Sequence, residues 1–396
     1  MRLSRRIQEI QPSPTLGVTA RANALKAAGE KVFSFAAGEP DFPTPEHICK
    51  AAFRAIESGQ TRYTASAGIP ALREAIRRNY QQEFGLHYGL DQVAVCCGAK
   101  QCLFNVFQAL LDPGSEAIVP APYWVSYTEQ IRLCGAKPVV IPPRPGTFAL
   151  DVDAVARAIN KRTRLMVINS PCNPTGYVLT ADEIDGVAEL ARKHDLIVIS
   201  DDIYCRFIYA GKRVINIAER HPQLIDQLVL INGVSKTYAM TGWRLGYAVG
   251  PKEIIGAMYK LQDQSTSNAT SFVQHAAIEA LASPMEEITN MVQAFERRRK
   301  RMLELFALIP GVECAAPDGA FYMFPSFAKV LGHAFNGEPI DSTVRLAEVL
   351  LEKERVAVIP GEGFGAPGHL RFSFAASIET IEEGLRRVQK LVQSLA

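Results

Sequence analysis

Short apolar runs alternate with amphipathic stretches through the middle of the chain. QVAVCCG, EAIVPAP, KPVVIPP, RLMVINS, LIVISDD, DQLVLINGVSK and YAVGP each carry a brief run rich in Val, Ile and Leu. Each run ends in Gly, Pro, Asn, Ser, Asp or Lys. Unbroken apolar runs of this length suit strands covered on both faces. Between them, AAFRAIESG, PALREAIRRNYQQEFG, KQCLFNVFQALL and ADEIDGVAELARKH repeat apolar residues every three or four positions. That is the period of a helix with one buried face. Strands alternating with helices predict an α/β fold: a mostly parallel, seven-stranded sheet between helical layers.

The pattern changes near residue 285. A long basic-amphipathic helix leads to GAFYMFP, RVAVIPG and HLRFSFA, and TIEEGLRRVQKLVQSL reads as a closing helix. The division expected is an N-terminal arm with part of a small domain over 1–45, a large domain over 46–285, and a small α+β domain over 286–396. Residues 12–45, rich in Pro and Gly, read as an extended arm with loops. The basic run Arg297–Arg301 reads as a solvated helix face.

Length agrees with two domains, since 396 residues exceed what one core holds. A hydrophobic share of 48% and a charged share of 21% are ordinary for a globular chain. Net charge is +2, so no strong field favours nucleic acid or an anionic membrane. No apolar run is long enough to span a bilayer, and no apolar stretch follows the basic start MRLSRRIQEIQPSPT. The eight cysteines form no CxxC pair and no zinc-spaced cluster. Free thiols, no metal site and a reducing cytoplasm are the expectation.

In open parallel sheets, ligands bind beyond the carboxyl ends of the strands. Gly98, Ala99 and Lys100 open a helix there, where small residues let a phosphate approach free N–H groups. A plain strand-to-helix turn has the same composition. Asn169–Gly176 forms a rigid polar loop of two Asn-centred turns, a composition that also occurs for structural reasons. Asp201 and Asp202 end a buried strand, where a carboxylate is costly unless paired. One of them could cap a helix, or one could keep a heteroaromatic nitrogen protonated. Lys236 ends another strand among small residues, and burial would favour its neutral, imine-forming amine. Arg244 follows eight residues on, a candidate clamp for a phosphate. The glycines of RVAVIPGEGFGAPG precede a strand rather than a helix, so they are loop punctuation and not a dinucleotide fingerprint.

AGEPDF, SPCNPTG, SDDIY and SKTYAMTGWRLGY stand in one order, joined by GIPALREAI, YWVSY and HLRFSFA. Together they resemble, over nearly the whole chain, the class I aminotransferases of pyridoxal-phosphate (PLP) fold type I. The likeness is greatest to bacterial aspartate aminotransferases, some of which also use prephenate. The resemblance implies that Lys236 carries PLP as a Schiff base and moves the proton, that Asp201 pairs with the pyridine nitrogen, and that Tyr204 and Asn173 bond the ring hydroxyl oxygen. It implies stacking by Trp124 and phosphate binding by Gly98, Ala99, Lys100, Ser235 and Arg244. Tyr63 would reach the phosphate of a neighbouring subunit, so a homodimer with shared sites is implied. Arg371 would bind the substrate α-carboxylate with Gly38, Asn173 and Trp124. The stretch 265–271 contains no arginine of the kind some relatives use for the distal carboxylate, and the resemblance to the bacterial branch implies that Lys100 and Thr15 take that task. Two departures stand out: Gly233 replaces a serine common among relatives, and Gln11 replaces a basic residue found in some prephenate-using ones. The activity implied is amino transfer between L-aspartate and 2-oxoglutarate, giving oxaloacetate and L-glutamate. The alternatives are an aminotransferase for aromatic, prephenate or other 2-oxo acids, and a non-catalytic PLP-binding regulator.

Overall fold

The structure, a computed structural model, describes residues 3–395. Its centre is a seven-stranded sheet in the order Val93–Cys96, Gly246–Val249, Leu228–Gly233, Ile197–Asp201, Thr163–Asn169, Glu116–Pro120, Lys137–Ile141. Only Gly246–Val249 runs against its two neighbours, and the other pairings are parallel. The mostly parallel sheet expected from the apolar runs is therefore present.

The reason those runs are unbroken is visible in the packing. Along Thr163–Asn169, Met166 and Ile168 join the core under one face, while Leu165 and Val167 join the core under the other. Val198 and Ile199 divide in the same way, as do Leu228, Val229, Leu230 and Ile231. Side chains alternate across a strand, so a strand with helices on both faces needs an apolar residue at every position.

A further core gathers Phe33 and Phe35 with Met291, Phe295, Phe306, Phe321, Leu346, Phe372 and Leu385. Phe33–Ser34 pairs in parallel with Val356–Ala357, so the chain near residue 35 belongs to the packing of the C-terminal elements. The Met285–Phe306 helix carries the basic run, which is not simply a solvated face. Arg299 is buried and donates from Nε to the Pro317 carbonyl at 2.6 Å, while Arg298 pairs with Asp41 at 2.6 Å.

The N-terminal arm also departs from expectation. Pro14–Ala27 is a helix of 14 residues. Ser13 caps it by accepting from the Leu16 N–H, and Pro14 occupies the first turn, where its missing N–H costs nothing. The Pro and Gly content of 12–45 obscured this signal, because those residues cluster on either side of the Ala-rich TARANALKAA segment. Among the described residues, no helix is long and apolar enough to cross a membrane.

One glycine lets the reversed strand approach the neighbouring helix start. Gly246 faces the start of the Ala99–Leu110 helix, and a Cβ there would collide with the backbone of Gly98 and Ala99. Gly246→Ala is expected to lower unfolding stability by about 1–3 kcal/mol, the usual cost of overpacking. Urea denaturation of variant and parent measures this, and equal midpoints would show that the helix start can move aside.

Candidate active site

The parallel strands end in register: Asn169 is paired with Asp201, Asp201 with Ile231, and Gly233 with Gly246 on the reversed strand. Their following loops therefore emerge at one edge, and a cavity of about 300 Å³ opens there. Ser13 and Thr15 from the N-terminal helix region close one side, and Tyr322 and Arg371 from the C-terminal elements close another. Four cationic side chains, Lys100, Lys236, Arg244 and Arg371, line this space against a single carboxylate, Asp201. A cavity with that balance attracts anions, and it has room for more than one negative group.

Asp201 is buried at the end of its strand. Tyr127 donates its hydroxyl to Oδ2 at 2.7 Å, and the Ile203 N–H reaches Oδ1 at 3.3 Å. Burial dominates, and pushes the carboxyl up to about 6 despite these bonds and the Lys236 charge. Asp202 points to the opposite face, as strand alternation requires. It accepts from Ser200 Oγ at 2.6 Å and Asn216 Nδ2 at 3.2 Å, and does not line the cavity.

Lys236 lies deep, with its amine donating to the Gly38 carbonyl at 2.5 Å. Burial lowers its ammonium to about 8, with the Glu39 charge opposing that shift and the Arg244 charge adding to it. An amine held there exists in both protonation states near neutral to mildly basic pH. Arg244 adopts a left-handed backbone and donates from Nη1 to the Thr241 carbonyl at 2.8 Å. Its guanidinium lies against Gly98 so closely that a Cβ there would sit 2.5 Å from Nη2. Gly98 also has φ +92°, a backbone conformation that side chains disfavour. The guanidinium and the helix start thus share one corner, the arrangement that a phosphate needs.

Arg371 is 1% exposed. Nη1 donates to Asn173 Oδ1 at 3.0 Å and Nη2 to the Ala36 carbonyl at 2.9 Å. Its Nε is buried with no partner, so the fork is oriented yet still has donors to give. The guanidinium lies 4.6 Å from the Tyr322 ring centre and 5.1 Å from that of Phe364. Asn173 reaches Tyr204 at 3.5 Å, and the Tyr204 and Tyr322 hydroxyls are 2.9 Å apart. Burial holds the Tyr204 phenol well above its ordinary value, so it stays a neutral donor.

Lys100 sits in the first turn of its helix with its ammonium 4.8 Å from the Trp124 ring centre. Burial, and then the Arg244 charge, lower its pKa. Thr15 Oγ1 lines the same cavity, buried without a hydrogen-bond partner. A distal anion would relieve both groups.

Twelve of the residues singled out from sequence line this one cavity: Thr15, Gly38, Ala99, Lys100, Trp124, Asn173, Asp201, Tyr204, Ser235, Lys236, Arg244 and Arg371. Gly98 stands just behind it, against Arg244. Tyr63 does not reach the cavity of its own chain and is 91% exposed. Gln11 lies outside as well, with its N–H on Glu129 Oε2 at 3.0 Å. Gly233 has a packing reason: a Cβ there would come within 3.0 Å of Gly246 Cα and of the Leu245 carbonyl. Sequence reasoning missed Tyr127, Tyr322 and Ser13, and marked Asn169 only as the start of the polar loop. Tyr127 and Tyr322 lie in YWVSY and GAFYMFP, but nothing in those strings says which aromatic faces the cavity.

Residues 30–388 match the family described as aminotransferase class I and II. The chain is 44% identical to an aspartate aminotransferase of Geobacillus stearothermophilus, with 100% of each covered. The solved aspartate aminotransferase from Rhizobium meliloti superposes with a TM-score of 0.96 at 41% identity, covering 100% of both chains. That from Thermus thermophilus with maleate gives a TM-score of 0.92 at 41% identity, covering 99% of this chain and 100% of that one. With most of its length matched by the family and full-length relatives at this identity, the chain belongs to the aminotransferase class I and II family.

Proposed function

We propose that the protein is a PLP-dependent aspartate aminotransferase that exchanges the amino group between L-aspartate and 2-oxoglutarate. The observation that carries this reading is the cavity in which four cations face one buried carboxylate around a lysine amine. A phosphorylated cofactor and a dicarboxylate together bring the anions such a cavity needs. The residues present fit PLP: Gly98, Ala99, Ser235 and Arg244 for the phosphate, Asp201 for the ring nitrogen, Tyr204 and Asn173 for the ring hydroxyl oxygen, Trp124 for the ring face, and Lys236 for covalent attachment. Tyr63, exposed on its own chain, reaches the phosphate of the second subunit of a homodimer in this reading. When bound, PLP supplies an electron-accepting ring that delocalises the charge left on the substrate carbon as its proton departs.

The chain's own residues do the rest. Arg371 grips the α-carboxylate with the donors that Asn173 and Ala36 leave free. Gly38 holds the Lys236 amine beside that site through its carbonyl. The amine takes a proton from the substrate carbon and returns it elsewhere, which suits a group poised near 8. Asp201, ionised opposite a cationic ring, keeps that ring protonated. Lys100 and Thr15 receive the distal carboxylate, in accord with maleate, a dicarboxylate, in the related Thermus enzyme.

A yellow protein that borohydride bleaches, and that turns over aspartate with 2-oxoglutarate, is the expected result of the direct test. A colourless protein after incubation with PLP would end this reading.

Lys236→Ala should keep the fold yet lose at least about 10³-fold in turnover, since attachment and proton transfer fail together. A coupled assay of oxaloacetate formation measures it, and near-normal turnover would exclude Lys236 as the base.

Lys100→Ala should depress kcat/KM for aspartate by about 2–3 kcal/mol, the scale of a lost charged hydrogen bond, and spare alanine and phenylalanine. Equal losses over a panel of donors would assign Lys100 to the phosphate instead.

Asp201 yields a pH prediction for the ligand-free protein. Its folded value of about 6 lies above the ordinary 3.8, so the folded state holds the proton more tightly than the unfolded chain. That contribution is present at low pH and is lost as pH rises through about 6. Asp201→Asn escapes the loss, so its stability relative to the parent should grow between about pH 4 and pH 6 and level off above about pH 7, near 3 kcal/mol at most. Asp202, pushed to about 7 by burial, titrates in both proteins and largely cancels. Parallel melting curves would refute the raised Asp201 value.

A further inference from the structure

The stretch Phe35–Glu39 touches the cavity's charged groups one after another. Phe35 is pinned to the C-terminal elements, with its N–H on the Ala357 carbonyl at 2.8 Å and its carbonyl on the Ser373 N–H at 2.9 Å. The Ala36 carbonyl accepts from Arg371, and the Gly38 carbonyl accepts from the Lys236 amine. Glu39 then accepts from Thr241 Oγ1 at 2.6 Å through Oε2. The Thr241 carbonyl in turn holds Arg244 Nη1. The tethers at 35, 36 and 38 use backbone atoms; the one at Glu39 depends on a side chain.

We propose that Glu39 is a positioning residue for Lys236. Bonded to Thr241, it fixes the Gly38 carbonyl against the amine and brings a negative charge to the amine's side. The inference rests on the aminotransferase reading, in which that amine moves the proton. The charged groups that face Lys236 are Glu39, Arg244 from its own loop, Arg371 from the Leu370–Ser373 strand and Asp201 from the Ile197–Asp201 strand. The neutral phenols Tyr204 and Tyr322 line the same space. After burial, Glu39 is the largest influence on the amine and favours its charged form, with Asp201 acting in the same sense and both arginines against.

Three substitutions separate charge from tether. Glu39→Gln keeps an oxygen for Thr241 and removes the charge. Thr241→Val removes the donor and keeps the charge. Glu39→Ala removes both. In the cofactor-loaded protein, the pH titration of visible absorbance, kcat and KM for aspartate, and the melting temperature are measured together. Glu39→Gln should move the absorbance midpoint down by about half a unit or more, because a nearby negative charge stabilises a protonated nitrogen. Glu39→Ala and Thr241→Val should lower kcat roughly tenfold with KM within about threefold, as a misplaced proton-transfer group would. An unchanged midpoint in Glu39→Gln with normal kcat in the other two overturns the proposal. So does a lower melting temperature alone, which would make the bond merely structural. A wild-type protein that takes up no PLP overturns the aminotransferase reading as well, whereas a coloured, active wild type with indifferent variants overturns only this inference.

Discussion

A carboxylate at the end of a buried strand is unstable unless positive charge is brought to it. Asp201 has a tyrosine hydroxyl and a backbone N–H, and its pKa still rises to about 6. The same space holds four cations that disfavour one another: Lys100 and Lys236 are both pushed down by burial, and Arg244 adds to each shift. The protein therefore folds around an electrostatic arrangement in which cations outnumber carboxylates, one that an anionic ligand would balance. Charged groups fixed in advance need little rearrangement when charge develops on a substrate, which is the main advantage of such sites.

Holding these groups in place falls to backbone more than to side chains. The strand ends set Asn169, Asp201 and Lys236 along one sheet edge, and glycines 98 and 246 let the arginine clamp and the helix start crowd together. Arg371 arrives from elements more than a hundred residues away and is oriented by Asn173 and by the Ala36 carbonyl. The Phe35–Glu39 stretch is thus packed with the C-terminal elements while touching groups from the large sheet.

The two ends of the cavity differ in how sharply they would read a carboxylate. Arg371 is a buried fork held by Asn173 and the Ala36 carbonyl, with its Nε left unpartnered. Lys100 is a point charge at the end of a flexible stem, resting over Trp124 in a cavity that the Thr15 hydroxyl also lines. A fork selects geometry as well as charge, and an ammonium selects mainly charge. In the proposed reading the Arg371 end is accordingly the more exacting one, and variation in the amino donor would be accommodated at the Lys100 end.

The sequence by itself determined the mostly parallel sheet, because strands buried on both faces demand unbroken apolar runs such as LMVI and VLI. It also marked Asp201, Lys236 and the segments carrying Asn173 and Arg244, because the chain that follows such runs emerges at the edge where the cavity opens. It did not reveal the Pro14–Ala27 helix, whose cap signal lay among prolines and glycines with other purposes. Nor did it separate Asp201 from Asp202 on local grounds: the two differ only in which face of the strand they occupy, and the neighbouring Tyr127 decides which meets the cavity. Tyr322 and the Glu39–Thr241 bond were equally beyond it. These depend on contacts between residues far apart in the chain. Periodicity reports which side of an element is buried, but only packing decides what that side is buried against.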